Sequence, residues 1–211
     1  VKMISVLFIT FREALEAALV VGIILAYLTK VSGSREKKTV WMGVLGGGIF
    51  SFVFAYFFQK YIGEFEGVSE QIYEGSTMII AALLVSWLLY WMLKNRKHLK
   101  ADVENKIGNH VSKNSRFGVF FLSFVAVMRE GVEAAMFLQG ARIEFGVRGQ
   151  EMILGTILGI LGAAFVAWLV FKGILKFSLK YFFNISAALL LFFAGDLLVN
   201  GIGELLEAMG R

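Results

Sequence analysis

The chain contains no cysteine and no proline among its 211 residues. Without cysteine there is no disulfide and no thiolate metal site, and composition carries no mark of redox compartment. Without proline, any helix break must come from glycine. Charge is scarce: 18% of residues are Asp, Glu, Lys or Arg, against about 25% in soluble domains. The only two histidines, His98 and His110, fall in one polar connection. Carboxylate–histidine metal sites of the kind built inside helix bundles are therefore excluded from the apolar segments.

What is there is apolar: 58% of the chain is hydrophobic, with its charges gathered into short blocks. This is the arrangement of an all-α integral membrane protein. Six spans are expected, at Ser5–Thr29, Val40–Phe58, Tyr73–Leu93, Phe117–Gln139, Met152–Phe171 and Phe183–Ile202. Each is long enough, at about 1.5 Å per residue, to cross a hydrocarbon core of about 30 Å. The first run is too long and too charged for a cleaved leader.

The basic residues alternate between loops. Lys30, Arg35, Lys37 and Lys38 fall in loop 1, and Lys94, Arg96, Lys97, Lys100, Lys106, Lys113 and Arg116 in loop 3. Loop 5 holds Lys172, Lys176 and Lys180, whereas loops 2 and 4 and the C-terminus hold only Lys60, Arg142, Arg148 and Arg211. Positively charged loops stay cytoplasmic, so the N-terminus is expected outside. The formal net charge of +5 then reports orientation in a bilayer and not a nucleic-acid partner. Loop 2 is acidic, with Glu64, Glu66 and Glu70, and a solvated loop accounts for it better than a cation collector does. Trp87, Tyr90 and Trp91 read as an interfacial belt.

Two spans break the apolar rule in the same way. Arg12-Glu13-Ala14-Leu15-Glu16-Ala17-Ala18 lies inside the first, and Arg129-Glu130-Gly131-Val132-Glu133-Ala134-Ala135 inside the fourth, 117 positions on. Each ionisable residue at a span centre costs about 2.5–3.5 kcal/mol on insertion. Such groups must be paired, buried in protein or facing water, and by default mark function. A second correspondence links Gly43-x-x-x-Gly47 and Ala55 to Gly155-x-x-x-Gly159 and Ala167, 112 positions on. The expected organisation is one membrane domain over 1–211, made of two repeats, about 1–94 and about 116–205, joined by the basic segment 95–115. Three spans per repeat gives the repeats opposite orientation, a transporter architecture with its site at the repeat interface.

On a helix, residues three and four apart share a face. Glu13 and Glu16 therefore point together, with Arg12 beside Glu16, and Arg129, Glu130 and Glu133 repeat the pattern. Carboxylate oxygens are hard ligands for hard cations. Arginine stays charged and holds carboxylates in a fork, so Arg12 and Arg129 are read as site-organising groups that keep the empty site from repelling itself. Simple Arg–Glu glue would need one glutamate per arginine, and each motif supplies two. Glu13, Glu16, Glu130 and Glu133 are accordingly the expected metal ligands, each individually required. Glu74 and Asp196 are candidates for an ion path, Asp196 being the deeper, while Glu204 sits nearer the interface. The glycines of spans 2 and 5 are read as packing surfaces.

With those residues in hand, the chain resembles the iron permease family. Arg12-Glu13-Ala14-Leu15-Glu16 and Arg129-Glu130-Gly131-Val132-Glu133 match that family's paired motifs, and Glu74-Gly75 opening span 3 is similar too. The resemblance implies inward iron transport with the motif glutamates as ligands. Iron is then substrate, no resident cofactor is expected, and the chain is not an enzyme. It also implies an extracytoplasmic iron oxidase or iron-delivery protein as partner. Members of that family usually carry a seventh span; six are read here. Carboxylates alone also suit another divalent metal such as Mn²⁺ or Pb²⁺, and a membrane carboxylate–metal enzyme is the reading from a different class.

Overall fold

A computed structural model of the chain describes residues 2–31, 36–61, 68–95, 107–108, 116–173 and 179–209. All six expected spans are helices: α1 (Lys2–Val31), α2 (Lys37–Tyr61), α3 (Val68–Asn95), α4 (Arg116–Phe145), α5 (Gly149–Phe171) and α6 (Leu179–Met209). No strand occurs among the described residues. Among the described residues, three helices are long and apolar enough to cross a membrane: Lys37–Lys60 in α2, Gly149–Phe171 in α5 and Asn184–Met209 in α6. In α3 the described apolar stretch is Gly75–Trp87. Helices α1 and α4, at 30 residues each, carry the motif charges.

Helix ends follow local chemistry. α4 stops where Gly146 takes φ +56°, and α5 stops before Gly173 at φ +70°, a left-handed backbone that glycine adopts without a Cβ penalty. Between them, Glu151 accepts a hydrogen bond from the Arg148 backbone N–H at 3.1 Å, closing the start of α5. Lys2 Nζ donates to the Gly146 carbonyl at 3.1 Å, tying the start of α1 to the end of α4.

The helices pack mainly in three pairs, α1 with α5, α2 with α4, and α3 with α6, and α1 crosses α4 at the centre. Small residues set these contacts. A Cβ on Gly155 would lie 2.7 Å from Val6 Cγ1, and one on Gly159 would lie 2.8 Å from the Leu7 carbonyl and from Thr10 Cβ. On the other pair, Gly43 faces Phe120 and Ser123, and a Cβ on Gly47 would lie 2.7 Å from the Phe124 carbonyl. Both are parallel pairs brought to backbone contact by Gly-x-x-x-Gly. The third pair is antiparallel. A Cβ on Gly75 would lie 2.7 Å from the Gly201 carbonyl, and one on Gly201 would lie 2.9 Å from the Gly75 carbonyl.

Two apolar clusters bracket the centre of the α1–α4 crossing. One gathers Ile9, Phe137 and Ala141 with Val85, Leu89, Ala187, Leu190 and Ala194. The other gathers Val21, Ile24 and Leu28 of α1 with Val40, Val119 and Ile107, the last from the α3–α4 connection. Between them, along α1, lies the first charged motif.

Candidate functional site

The crossing of α1 and α4 brings the two motifs face to face. Arg12, Glu13, Glu130 and Glu133 are buried. One carboxylate oxygen from each of Glu13, Glu130 and Glu133 lies within 4.8 Å of the others. Arg12 Nη1 pairs with Glu13, and Arg12 Nη2 lies 3.0 Å from Glu16 Oε1. Arg129 Nε donates to Glu133 Oε1 at 2.9 Å and lies 3.6 Å from Glu130 Oε1. The two clusters are within electrostatic reach of each other, Arg12 of Glu133 and Arg129 of Glu16.

Small neighbours make this approach possible. In α5 the residue opposite the first motif is Ala163, packed with Leu15, Leu19 and Ala14. In α2 the corresponding place is taken by Ser51, whose hydroxyl occupies the position a Cβ on residue 131 would need. The second motif accordingly carries Gly131 where the first carries Ala14. Ser51 itself is satisfied by donating back to the Gly47 carbonyl at 2.8 Å, a common arrangement for a hydroxyl within a helix.

Two acceptors in the cluster stand out. Glu13 Oε2 and Glu130 Oε2 are buried with no hydrogen-bond partner among the described residues, as is Thr10 Oγ1 one turn before Glu13. Buried carboxylate oxygens are ordinarily paired, because desolvation without a partner costs several kcal/mol. Oxygens bound to one ion at about 2.1 Å lie no more than about 4.2 Å apart. Side-chain movements of under about 1 Å would therefore gather the three carboxylates on a single ion.

The expected site residues divide. Glu13, Glu130, Glu133, Arg12 and Arg129 are gathered at the crossing. Glu16 is beside Arg12 and outside the three-carboxylate group. Asp196 is exposed on α6, on the face that also exposes Phe192 and Val199, and does not join the cluster. The Glu74 side chain lies outside the described residues, as do Glu64 and Glu66. Ser186 is a site residue that the motifs do not point to: it is buried on α6 and accepts a hydrogen bond from Arg12 Nε at 3.3 Å. A hydroxyl inside an otherwise apolar stretch, Ile185-Ser186-Ala187-Ala188, is the signal that could have found it.

A family model described as the iron permease FTR1 family matches residues 3–211. The ferrous iron permease EfeU of Escherichia coli O6:H1 is 30% identical over 203 residues, covering 95% of this chain and 72% of its own length. The protein of that name from Yersinia pestis is 30% identical over 203 residues, with 95% and 71% covered. No solved structure matches the chain.

Proposed function

The chain belongs to the iron permease FTR1 family, and from that premise we propose that it imports ferrous iron across the cell membrane through the carboxylates at the α1–α4 crossing. The observation that carries the site is the convergence of Glu13, Glu130 and Glu133 within 4.8 Å, two of them with a buried oxygen lacking a hydrogen-bond partner among the described residues. A cation is the natural partner for such oxygens. With all four glutamates ionised, Arg12 and Arg129 leave the site at net −2, which a divalent ion neutralises.

The arginines set the exchange. A cation can meet Glu13 at Oε2, which has no hydrogen-bond partner among the described residues, but to draw in the whole carboxylate it must compete with Arg12 for Oε1, as it must with Arg129 for Glu133 Oε1. Where an arginine-held oxygen is taken, the gain of a metal–oxygen bond is offset by loss of a charge-assisted hydrogen bond, so binding stays reversible enough for release. Glu16, held by Arg12, is the fourth carboxylate and receives the guanidinium when Glu13 turns to the ion. The apolar clusters on either side along α1 make this an occluded arrangement, with passage requiring one or other to open.

The two halves act as inverted repeats in this scheme, and their contacts support it. Gly155 and Gly159 meet Met3, Val6, Leu7, Thr10 and Phe11, while Gly43 and Gly47 meet Phe120, Ser123, Phe124, Val127 and Met128. A shift of 117 converts the first set into the second. Gly75 and Gly201 relate similarly: Gly201 meets Met78 and Ile79, and Gly75 meets Glu204 and Leu205, a shift of 126. A multi-pass chain with repeats near 1–94 and 116–205, basic segment 95–115 inside and N-terminus outside fits both this pairing and the loop charges. An extracytoplasmic oxidase or iron-delivery protein is the proposed supplier of cargo.

The test is uptake into vesicles holding the purified chain, with Fe²⁺ kept reduced and Mn²⁺ and Pb²⁺ in parallel. Fe²⁺ uptake that Glu133→Gln abolishes is the expected result. Uptake of Mn²⁺ in preference to Fe²⁺ would move the reading to another divalent metal, since an all-oxygen site suits both.

A further inference from the structure

The two motifs are alike in sequence, yet their arginines are held differently. The Arg12 side chain is 1% exposed and the Arg129 side chain 32%. Arg12 directs Nη1 at Glu13, Nη2 at Glu16 and Nε at Ser186 Oγ, 3.3 Å away. Arg129 instead spends its Nε on a carboxylate, that of Glu133. Ser186 belongs to α6, whose principal partner is α3, so this hydrogen bond reaches into the α1–α4 crossing from another helix pair.

We infer that Ser186 is a positioning residue for transport: its hydroxyl holds Arg12 at the edge of the site while Glu13 turns to the cation. This rests on the carboxylate-site reading above. When Glu13 leaves Arg12, the freed Nη1 would draw the guanidinium after it, toward the incoming ion. The hydrogen bond from Nε to Ser186 and the 3.0 Å ion pair of Nη2 with Glu16 resist that movement together, because a planar guanidinium tethered at two of its nitrogens swings less freely than one tethered at a single nitrogen. Without the hydroxyl, Arg12 follows Glu13 and competes with the cargo. The consequence is weaker cargo binding with little change in turnover.

The experiment compares wild type, Ser186→Ala, Ser186→Thr and Glu13→Gln as purified full chains, by Fe²⁺ equilibrium binding and by Fe²⁺ uptake in vesicles. Ser186→Ala should raise both Kd and KM roughly tenfold, the scale of one lost hydrogen bond to a charged group, with Vmax within about twofold of wild type. Ser186→Thr, which keeps the hydroxyl, should restore both constants, and both variants should keep the wild-type thermal midpoint. A wild-type KM in Ser186→Ala overturns the inference. So does a fall in Vmax at unchanged KM, or a Ser186→Thr variant as impaired as Ser186→Ala. The Glu13→Gln arm separates the two levels. Wild-type Fe²⁺ binding there removes the carboxylate site itself, whereas loss there beside an unaffected Ser186→Ala removes only the role of Ser186.

Discussion

Replacing Gly159 by alanine should loosen α1 from α5, while the same change at Gly48 should not disturb the bundle. A Cβ at position 159 would lie 2.8 Å from the Leu7 carbonyl oxygen, 2.8 Å from Thr10 Cβ and 2.9 Å from the Phe11 nitrogen. Comfortable contact needs about 3.5 Å, so the helices must part by roughly 0.6–0.7 Å. All three obstructing atoms are backbone or the first side-chain carbon of α1, so no rotamer change relieves them. Overpacking of this kind costs about 1–3 kcal/mol, reduced by about 0.5–1 kcal/mol for alanine's better helix propensity. At Gly48 no atom lies within 4 Å, so only the favourable propensity term applies. The propensity term is common to both variants, so they should differ by the overpacking cost, about 1–3 kcal/mol, or roughly 2–12 °C in thermal midpoint for a chain of this length. Glu13 is one turn from Thr10, so Fe²⁺ uptake should fall in Gly159→Ala as α1 shifts. Thermal unfolding of the purified proteins, followed by tryptophan fluorescence, gives the comparison. Equal midpoints for Gly159→Ala and Gly48→Ala would refute the close parallel packing of α1 on α5.

Arg12→Lys should impair uptake more than Arg129→Lys at equal membrane levels, because Arg12 is the more buried and uses three nitrogens on three acceptors; equal, mild effects would leave both arginines a charge-balancing role only. Asp196→Asn should retain Fe²⁺ uptake within about twofold of wild type, since Asp196 is exposed on α6 away from the cluster, and loss of uptake at normal abundance would return it to the ion path. Because the chain has no cysteine, single cysteines can report orientation: one replacing Ser69 should react with an impermeant reagent on intact cells and one replacing Ser112 should not, and the reverse pattern would invert the proposed topology.

Much of this architecture is legible in the residues. Runs of about 20 apolar residues mark all six helices, and the buried cost of six charges points to the two motifs before any coordinates do. The glycine faces of α2 and α5 are legible as packing surfaces. Their partners are not: each glycine helix packs on the motif helix of the other half, α2 on α4 and α5 on α1. The reason is physical. Lipid and protein interior are both apolar, so hydrophobic pattern does not say which face of a membrane helix turns inward. Asp196 shows the same limit, an acid within an apolar run that falls on an exposed face of α6, outside the carboxylate cluster. Glu16 shows a second limit. Spacing places it beside Glu13, but which carboxylate Arg12 ties back depends on side-chain directions across the crossing. Ser186 shows a third, since a hydrogen bond spanning 174 positions leaves no local trace beyond one hydroxyl in an apolar run.

Equilibrium binding of Fe²⁺ to the purified chain and its single glutamine variants tests the proposed site most directly. Glutamine keeps the shape and one acceptor oxygen while removing the charge, so insertion should be unaffected. A site made by Glu13, Glu130 and Glu133 predicts one high-affinity ion per chain. It also predicts that each of Glu13→Gln, Glu130→Gln and Glu133→Gln weakens binding by more than about 100-fold, since loss of even an outer-shell partner costs about 10–100-fold. Glu16→Gln should weaken it less. Double substitution across the two helices, Glu13→Gln with Glu130→Gln, should be scarcely worse than either alone, because members of one ligand shell act as a unit. Wild-type affinity in Glu130→Gln and Glu133→Gln, with binding lost only in the α1 variants, would contradict a shared site and leave the second motif a structural one.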